Sequence, residues 1–196
     1  MASASWAALR GGPSSDRAYA IVNGVAISST EFDAYAAVFR RPDGSLGVTR
    51  EQILQSLVNQ SLVEEAADRY GLSVGQDQVR EGVDARASLT SDDGQAGGPA
   101  GIADRVRMFE LFRLVRERVI GPIVVSPEAI AAEYEANPDL AIVPRAEALE
   151  VIRERLTETE SQRRWEDWLA RQRACADIQI VDQSFAMRSS SPGPDC

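Results

Sequence analysis

The chain has 196 residues and a formal net charge of −9, and all 21 of its basic residues are arginine because it contains neither lysine nor histidine. Without these two residue types, the usual general base near neutral pH, Schiff-base chemistry and a P-loop lysine are all excluded. Two cysteines without histidine cannot form a typical zinc site, and an acidic chain is poorly suited to phosphate backbones or anionic membrane surfaces. We therefore expect no enzyme activity, no metal or other cofactor, and no nucleic-acid partner.

Both ends of the chain are rich in small and polar residues. The segments 1–18 and 184–196 are predicted to be disordered, and because Cys196 ends the second one we expect no structural disulfide. No run of about 18 apolar residues is present, so we expect no direct membrane span. The N-terminal segment lacks the basic start and apolar centre of a signal peptide. The sequence as written thus predicts a cytoplasmic protein, with the periplasm or cell envelope as the alternative if an export signal was removed.

The first predicted elements are a hairpin and a helix. Two short β-prone runs flank Asn23-Gly24, a strong signal for a two-residue turn. Ser28 and Glu31 have the spacing of a capping box, which predicts that a helix begins there. Three aromatic residues share one face of this helix at helical spacing: Phe32, Tyr35 and Phe39.

The next helix is the clearest in the sequence. Thr49 and Gln52 form a second capping box, and an apolar helical pattern continues from there to Tyr70. Gly71 follows directly, as expected of a C-terminal cap. A weaker helix is predicted over 76–89 and a loop over 91–101.

Three further elements complete the pattern. A helix over 102–119 carries Phe109 and Phe112, and Ser126-Pro127 begins a helix that carries Tyr134. A long helix follows Pro144 to about residue 174, and residues 178–181 alternate weakly like a strand. The predicted fold is mainly α, with a small β-hairpin and a long C-terminal helix that returns to a single domain spanning 19–183.

Several of these segments resemble, in order, the N-terminal chaperone domain of the SurA/PrsA-type parvulin foldases. The hairpin 20–28, with Glu31 and Phe32 after it, is similar to the opening hairpin and helix of that family. The helix over 53–66, with its exit at 71–74, resembles the family's second helix. Residues 125–134 resemble the element that leads into the isomerase domain, and residues 165–180 resemble the segment that returns from it.

The departure from the family pattern is informative. Only about ten residues, 135–144, stand where the family usually carries a parvulin domain, and a parvulin site would need histidines. The resemblance therefore implies a peptide- or protein-binding holdase without prolyl isomerase activity. The alternative is a non-catalytic interaction subunit of a larger enzyme or membrane complex, held in a stable heteromeric assembly.

The expected partner in either case is an unfolded or partner polypeptide. Such a module needs apolar, adaptable surface rimmed by charge. Each candidate could instead pack in the core, because the apolar face of a helix usually points inward. The candidate peptide-binding residues are the aromatic residues of the predicted helices: Phe32, Tyr35, Phe39, Phe109, Phe112 and Tyr134.

Overall fold

The computed structural model describes residues 16–87, 98–137, 139 and 142–193. This part of the chain forms six α-helices and one small antiparallel sheet, which confirms the predicted fold class. None of the helices described is both long and apolar enough to cross a lipid bilayer. The elements in chain order are β1 (Ala18–Val22), β2 (Val25–Ser28), α1 (Ser29–Ala37), α2 (Arg50–Tyr70), α3 (Gln76–Ala87), α4 (Gly98–Ile120), α5 (Pro127–Ala136), α6 (Arg145–Cys175) and β3 (Ile178–Ile180).

The chain divides into two compact units. Unit 1 comprises Met1–Val115 and Gln172–Cys196, and unit 2 comprises Arg116–Arg171. The sequence predicts a single domain over 19–183, whereas the boundaries between the units fall inside α4 and α6. An uninterrupted helical pattern carries no signal for such a boundary, because the periodicity continues through it.

The sheet of unit 1 has the order β2-β1-β3, with both pairs antiparallel. Val22 faces Val25 across the turn, where Asn23 and Gly24 adopt positive φ angles of 47° and 83°. Two successive positive φ angles are the geometry that makes Asn-Gly favourable between two strands. On its other side, Val22 pairs with Ile178, so the end of the chain returns to its beginning.

Asn23 connects three segments of unit 1. Its backbone N–H donates to the carbonyl of Asp177 at 2.9 Å, and its side-chain Oδ1 accepts from the N–H of Asp177 at 2.8 Å. Its Nδ2 also donates to Glu65 Oε2 at 2.6 Å. The turn residue therefore fixes the hairpin to α2 and to the start of β3.

The helix boundaries follow the capping signals in the sequence. Ser28 accepts from the N–H of Glu31 at the start of α1, and Thr49 and Gln52 form a complete capping box at the start of α2. Gly71 ends α2 in the left-handed conformation with φ 65°. Ser126 caps α5, with proline in its first turn. These four local predictions are confirmed.

The apolar core of unit 1 lies between the sheet and the helices α1 and α2. Arg173 adds a polar contact, since its guanidinium donates to Asn59 on α2 at 2.9 Å. The core cluster consists of buried residues from the sheet, from α1 and α2, and from the C-terminal segment: Ala20, Val22, Ile27, Phe32, Ala36, Ile53, Leu54, Leu57, Val58, Leu62, Ala176, Ile178 and Phe185.

Arginine side chains join the elements of unit 2. Arg116 donates to Glu158 and to Ser161 on α6, both at 2.9 Å. Arg164 on α6 donates to the carbonyl of Ile120 at 3.1 Å, which satisfies one of the carbonyls left open at the end of α4. These bonds connect α6 to the last turn of α4.

The C-terminal segment packs against the core of unit 1, although the sequence predicts disorder over 184–196. Phe185 is 5% exposed, and its ring makes edge contacts with Tyr19 and Phe32 at centroid distances of 5.3 and 5.6 Å. The guanidinium of Arg50 lies over all three rings, 4.9 to 5.7 Å from their centroids. Of the predicted disordered ends, residues 1–15 and 194–196 lie outside the described residues.

Asp182 shapes the turn that leads into Phe185. Its carboxylate accepts from the N–H of Ser184 at 2.9 Å, and the carbonyl of Asp182 accepts from the N–H of Phe185 at 3.3 Å. Hydrogen bonds from the backbone and side chain of Ser184, together with the attraction of Arg17 and Arg50, lower the pKa of Asp182. The charged carboxylate therefore favours the turn.

Replacing Asn23 tests the clamp between the chain ends. We expect Asn23→Ala to lower the free energy of unfolding by about 2 kcal/mol, because it loses side-chain hydrogen bonds and holds alanine at a positive φ. Asn23→Gly loses the same bonds without that backbone strain, so its loss should be about 1 kcal/mol smaller. Urea denaturation measures both, and equal losses in the two variants would contradict a role for the left-handed geometry.

Acidification tests the Asp182 turn. A carboxyl whose pKa is lowered on folding stabilises the folded state above its ordinary value of 3.8, and that contribution is lost as the pH falls through the lowered pKa. We expect Asp182→Asn to be less stable at pH 7 and to show a smaller loss between pH 4 and the lowered pKa. Asp33→Asn, at an exposed position on α1, is the control in the same denaturation series. An unchanged pH profile for Asp182→Asn would contradict the assignment.

Candidate peptide-binding cleft

A short ordered loop after α1 forms one wall of the candidate site. Arg40 and Leu46 make an isolated antiparallel bridge, and the N–H of Gly47 donates to the carbonyl of Phe39 at 2.8 Å. Gly44 supplies the turn with φ 81°. The loop therefore folds back beside α1 and brings Val48 next to the aromatic residues of that helix.

The cleft itself lies in unit 1 and has a volume of about 550 Å³. Its walls come from α1 and the residues after it, from the first two turns of α2, and from the C-terminal segment. This volume is in the range of pockets that take a small ligand or a few peptide side chains. The lining residues are Tyr35, Phe39, Val48, Glu51, Gln52, Ile53, Gln55, Ser56 and Met187.

The apolar side of the cleft is an extension of the core. Tyr35 and Phe39 are half-buried, and their ring centroids lie 5.5 Å apart. Ile53 is 1% exposed and therefore belongs to the core against which the cleft is built. Tyr35, Phe39, Val48 and Met187 all pack against the buried core cluster. Bound apolar side chains would thus contact a surface continuous with the interior of the unit.

The polar side of the cleft comes from the start of α2. Gln52 is engaged in the capping box, and Ser56 donates to the carbonyl of Gln52 at 2.9 Å. Gln55 donates to Asn59 at 3.4 Å. Within the described part of the chain, the carboxylate of Glu51 has no hydrogen-bond or ion-pair partner, so the rim presents one negative charge.

Only some of the predicted peptide-binding residues meet here. Tyr35 and Phe39 line the cleft, as expected of one accessible face. Phe32 is 1% exposed beneath Arg50 and the two other rings, so its assignment as a contact residue is wrong. It lies on the inward side of the helix, where the sheet and Phe185 cover it.

The remaining predicted residues lie elsewhere. Phe109, on α4 of unit 1, is 56% exposed, and Phe112 is half-buried. Tyr134 belongs to unit 2, where the guanidinium of Arg145 lies 5.6 Å from its ring centroid. None of the three lines the cleft.

Sequence reasoning missed every lining residue other than Tyr35 and Phe39. The position of Val48 in the cleft depends on the fold of the preceding loop. The positions of Glu51 and Gln55 depend on which face of α2 borders the cleft. Met187 lies in a segment rich in serine and proline, yet the alternation of Phe185 and Met187 with polar or small residues was a signal for an extended, half-buried segment.

The cysteines also differ from expectation. Cys175 at the end of α6 is disulfide-bonded, and the only other cysteine in the sequence is Cys196. The expected absence of a structural disulfide is therefore wrong. Nearby, the N–H of Gly193 donates to the carbonyl of Ala174 at 3.3 Å, so the chain returns to α6 shortly before that cysteine. No group of three or more metal-ligating side chains occurs among the described residues.

Comparison with protein-family models matches residues 5–96 to the SurA-like N-terminal domain. The matched stretch contains the hairpin, α1, α2 and α3, and with them every lining residue of the cleft except Met187. It ends before residues 125–134 and the last helix, whose resemblance to the family remains a prediction. No curated protein matches the chain. Residues 5–96, just under half of the chain, are thus similar to a SurA-like N-terminal domain, as the hairpin and second helix had indicated.

Proposed function

We propose that this protein is a chaperone-like module that holds extended or unfolded polypeptide segments in the cleft of unit 1. The observation that carries the proposal is the apolar cleft of about 550 Å³ built by α1 and α2 inside the SurA-like domain. Its aromatic pair, Tyr35 and Phe39, is half-buried in the free protein and could be covered further by a client.

The size of the cleft sets the expected strength of binding. Burying one large apolar side chain contributes about 2 kcal/mol, and a cleft of this volume takes only a few of them. After the costs of association, the affinity for a single segment should be micromolar to millimolar. Such weak binding is suited to a holdase, which must release its client.

The lining also supports broad specificity. Met187 has a flexible thioether side chain that adapts to different shapes, and Tyr35 offers an apolar ring with a polar end. Glu51 places a negative charge at the rim, in a chain of net charge −9. We therefore propose a preference for apolar segments that also carry arginine or lysine, because opposite charges favour encounter and retention.

We further propose that binding is the whole activity and that the protein is not an enzyme. The support is chemical: a chain without histidine and lysine lacks the side chains most used for proton transfer and for amine nucleophiles. A prolyl isomerase activity is likewise not expected. Turnover of a prolyl peptide or a small molecule by the pure protein would contradict this part of the proposal.

A second candidate function is that of an interaction subunit in a stable heteromeric complex. It is favoured by apolar side chains outside the SurA-like match, since Val124 and Ile142 in unit 2 are each 90% exposed. Burying each of these side chains against a partner would contribute about 2 kcal/mol to association. A partner present at constant stoichiometry in every native preparation favours the subunit, and many clients at low occupancy favour the holdase.

The bonded Cys175 bears on the compartment. Disulfides persist in oxidising compartments and are rare in the cytosol. We therefore propose that the protein works in the periplasm or cell envelope, and the cytoplasmic location expected from the first residues becomes the alternative.

A double variant tests the cleft. We expect Tyr35→Ser with Phe39→Ser to weaken binding of an unfolded client at least tenfold, because two large apolar contacts are lost. Fluorescence anisotropy with labelled, reduced and carboxymethylated α-lactalbumin measures the affinity.

Phe109→Ser is the matched control, because Phe109 is an exposed aromatic residue of the same unit outside the cleft. It should leave the affinity unchanged. A loss of affinity in Phe109→Ser with no loss in the double variant would contradict binding in the cleft and would indicate α4 as the binding surface.

Thiol alkylation tests the proposed compartment. Protein purified from its native host without reductant, then denatured and treated with iodoacetamide, should show no alkylation at Cys175 or Cys196. After prior reduction, both should be alkylated, and intact-mass spectrometry distinguishes the two forms. Complete alkylation without reduction would contradict an oxidising compartment.

A further inference from the structure

The C-terminal segment covers the open edge of the sheet. On one side of β3, the carbonyl of Asp177 accepts from the N–H of Asn23 and the N–H of Val181 donates to the carbonyl of Tyr19. The backbone N–H and carbonyl groups of Ile178 and Ile180 point to the opposite side, away from β1. The outward N–H and carbonyl of Ile178 pair with Ser190, each at 2.8 Å. A strand edge with unpaired backbone groups is a template for another extended chain.

The same segment then contributes to the cleft. The N–H of Ile180 donates to Ser189 Oγ at 2.8 Å, and two residues earlier Met187 forms part of the cleft lining. Phe185 is buried and Met187 half-buried, while Ala186 and Arg188 are exposed. The segment thus lies against unit 1 as an extended chain whose alternate apolar side chains point inward.

Beyond Phe185 this contact is weak. Residues 186–190 are held to β3 by two backbone hydrogen bonds through Ser190 and one bond to the hydroxyl of Ser189. Four of these five residues are exposed, and only Met187 adds a partly buried apolar side chain. Neutral hydrogen bonds contribute about 1 kcal/mol each, so local opening of this stretch requires little free energy.

We propose that residues 186–190 are an internal stand-in for the client, and that a bound segment displaces them from both the edge of β3 and the cleft. This inference rests on the proposed function. It defines the client class as an extended segment with apolar side chains at alternate positions, whose backbone pairs with Ile178 and Ile180. Recognition by addition of a strand gives affinity through the backbone and selectivity through alternate side chains.

The covalent connection makes the stand-in an effective competitor. A tethered segment acts at a high local concentration, so even a weak contact lowers the apparent affinity for clients. Loosening the segment should therefore strengthen client binding. If the segment instead only completes the cleft wall, loosening it should weaken client binding.

The test compares variants of the oxidised full-length protein. Ser190→Pro removes the N–H that bonds to Ile178, and Ser190→Ala is the matched control that keeps both backbone hydrogen bonds. We expect about fivefold tighter binding of labelled, carboxymethylated α-lactalbumin to Ser190→Pro, corresponding to one lost hydrogen bond, and no change for Ser190→Ala. Faster hydrogen exchange at Ile178 and Ile180 verifies that the segment has loosened.

Ser189→Ala is a second variant in case Ser190→Pro does not fold. It removes only the hydroxyl that accepts from Ile180 and should tighten binding about twofold to threefold. Weaker or unchanged binding in the loosened variants, with binding retained by the unaltered protein, overturns the inference and leaves the proposed function in place. No binding by any form overturns both.

A separate peptide-binding experiment tests the proposed client class. A labelled peptide with the sequence of residues 184–192 should bind Ser190→Pro, and the same peptide with aspartate in place of its phenylalanine and methionine should not. Equal binding of the two peptides would overturn the requirement for alternating apolar side chains.

Discussion

The pairing of β1 with β3 is the constraint on which the rest of the structure depends. It brings residue 22 next to residue 178 and closes one core with residues from both ends of the chain. Asn23 fixes this closure with its bonds to Asp177 and Glu65. The burial of Phe185 depends on the same pairing, because the chain leaves β3 beside Tyr19 and Phe32, whose rings Phe185 contacts. Without the third strand, the hairpin would be only marginally stable, and the C-terminal segment would have no edge to cover.

The sequence predicted the elements well where the signal was local. Ser28, Thr49, Gly71 and Ser126 mark helix ends because a cap is a contact between residues three or four positions apart. The burial of individual aromatic residues was not predictable in this way. Phe32 and Tyr35 are three residues apart on α1, and Phe32 is inaccessible because Phe185, 153 positions later, packs against its ring.

The cleft combines features that the sequence holds far apart. Its aromatic side comes from α1, its polar rim from the capped start of α2, and one flexible side chain from the C-terminal segment. The capping box lies at this rim, because Gln52 lines the cleft while its side chain accepts from the N–H of Thr49 at the start of the helix. A surface of this kind offers apolar area and one adaptable side chain.

The position of β3 also constrains how the protein is made. Its partner β1 leaves the ribosome first, whereas Ile178 is synthesised 156 residues after Val22, the difference between the two paired positions. Contacts so distant in sequence form slowly, because the intervening chain must be closed before they contribute. The SurA-like segment therefore emerges with its sheet one strand short, and the sheet is completed only after Ile178 has been synthesised.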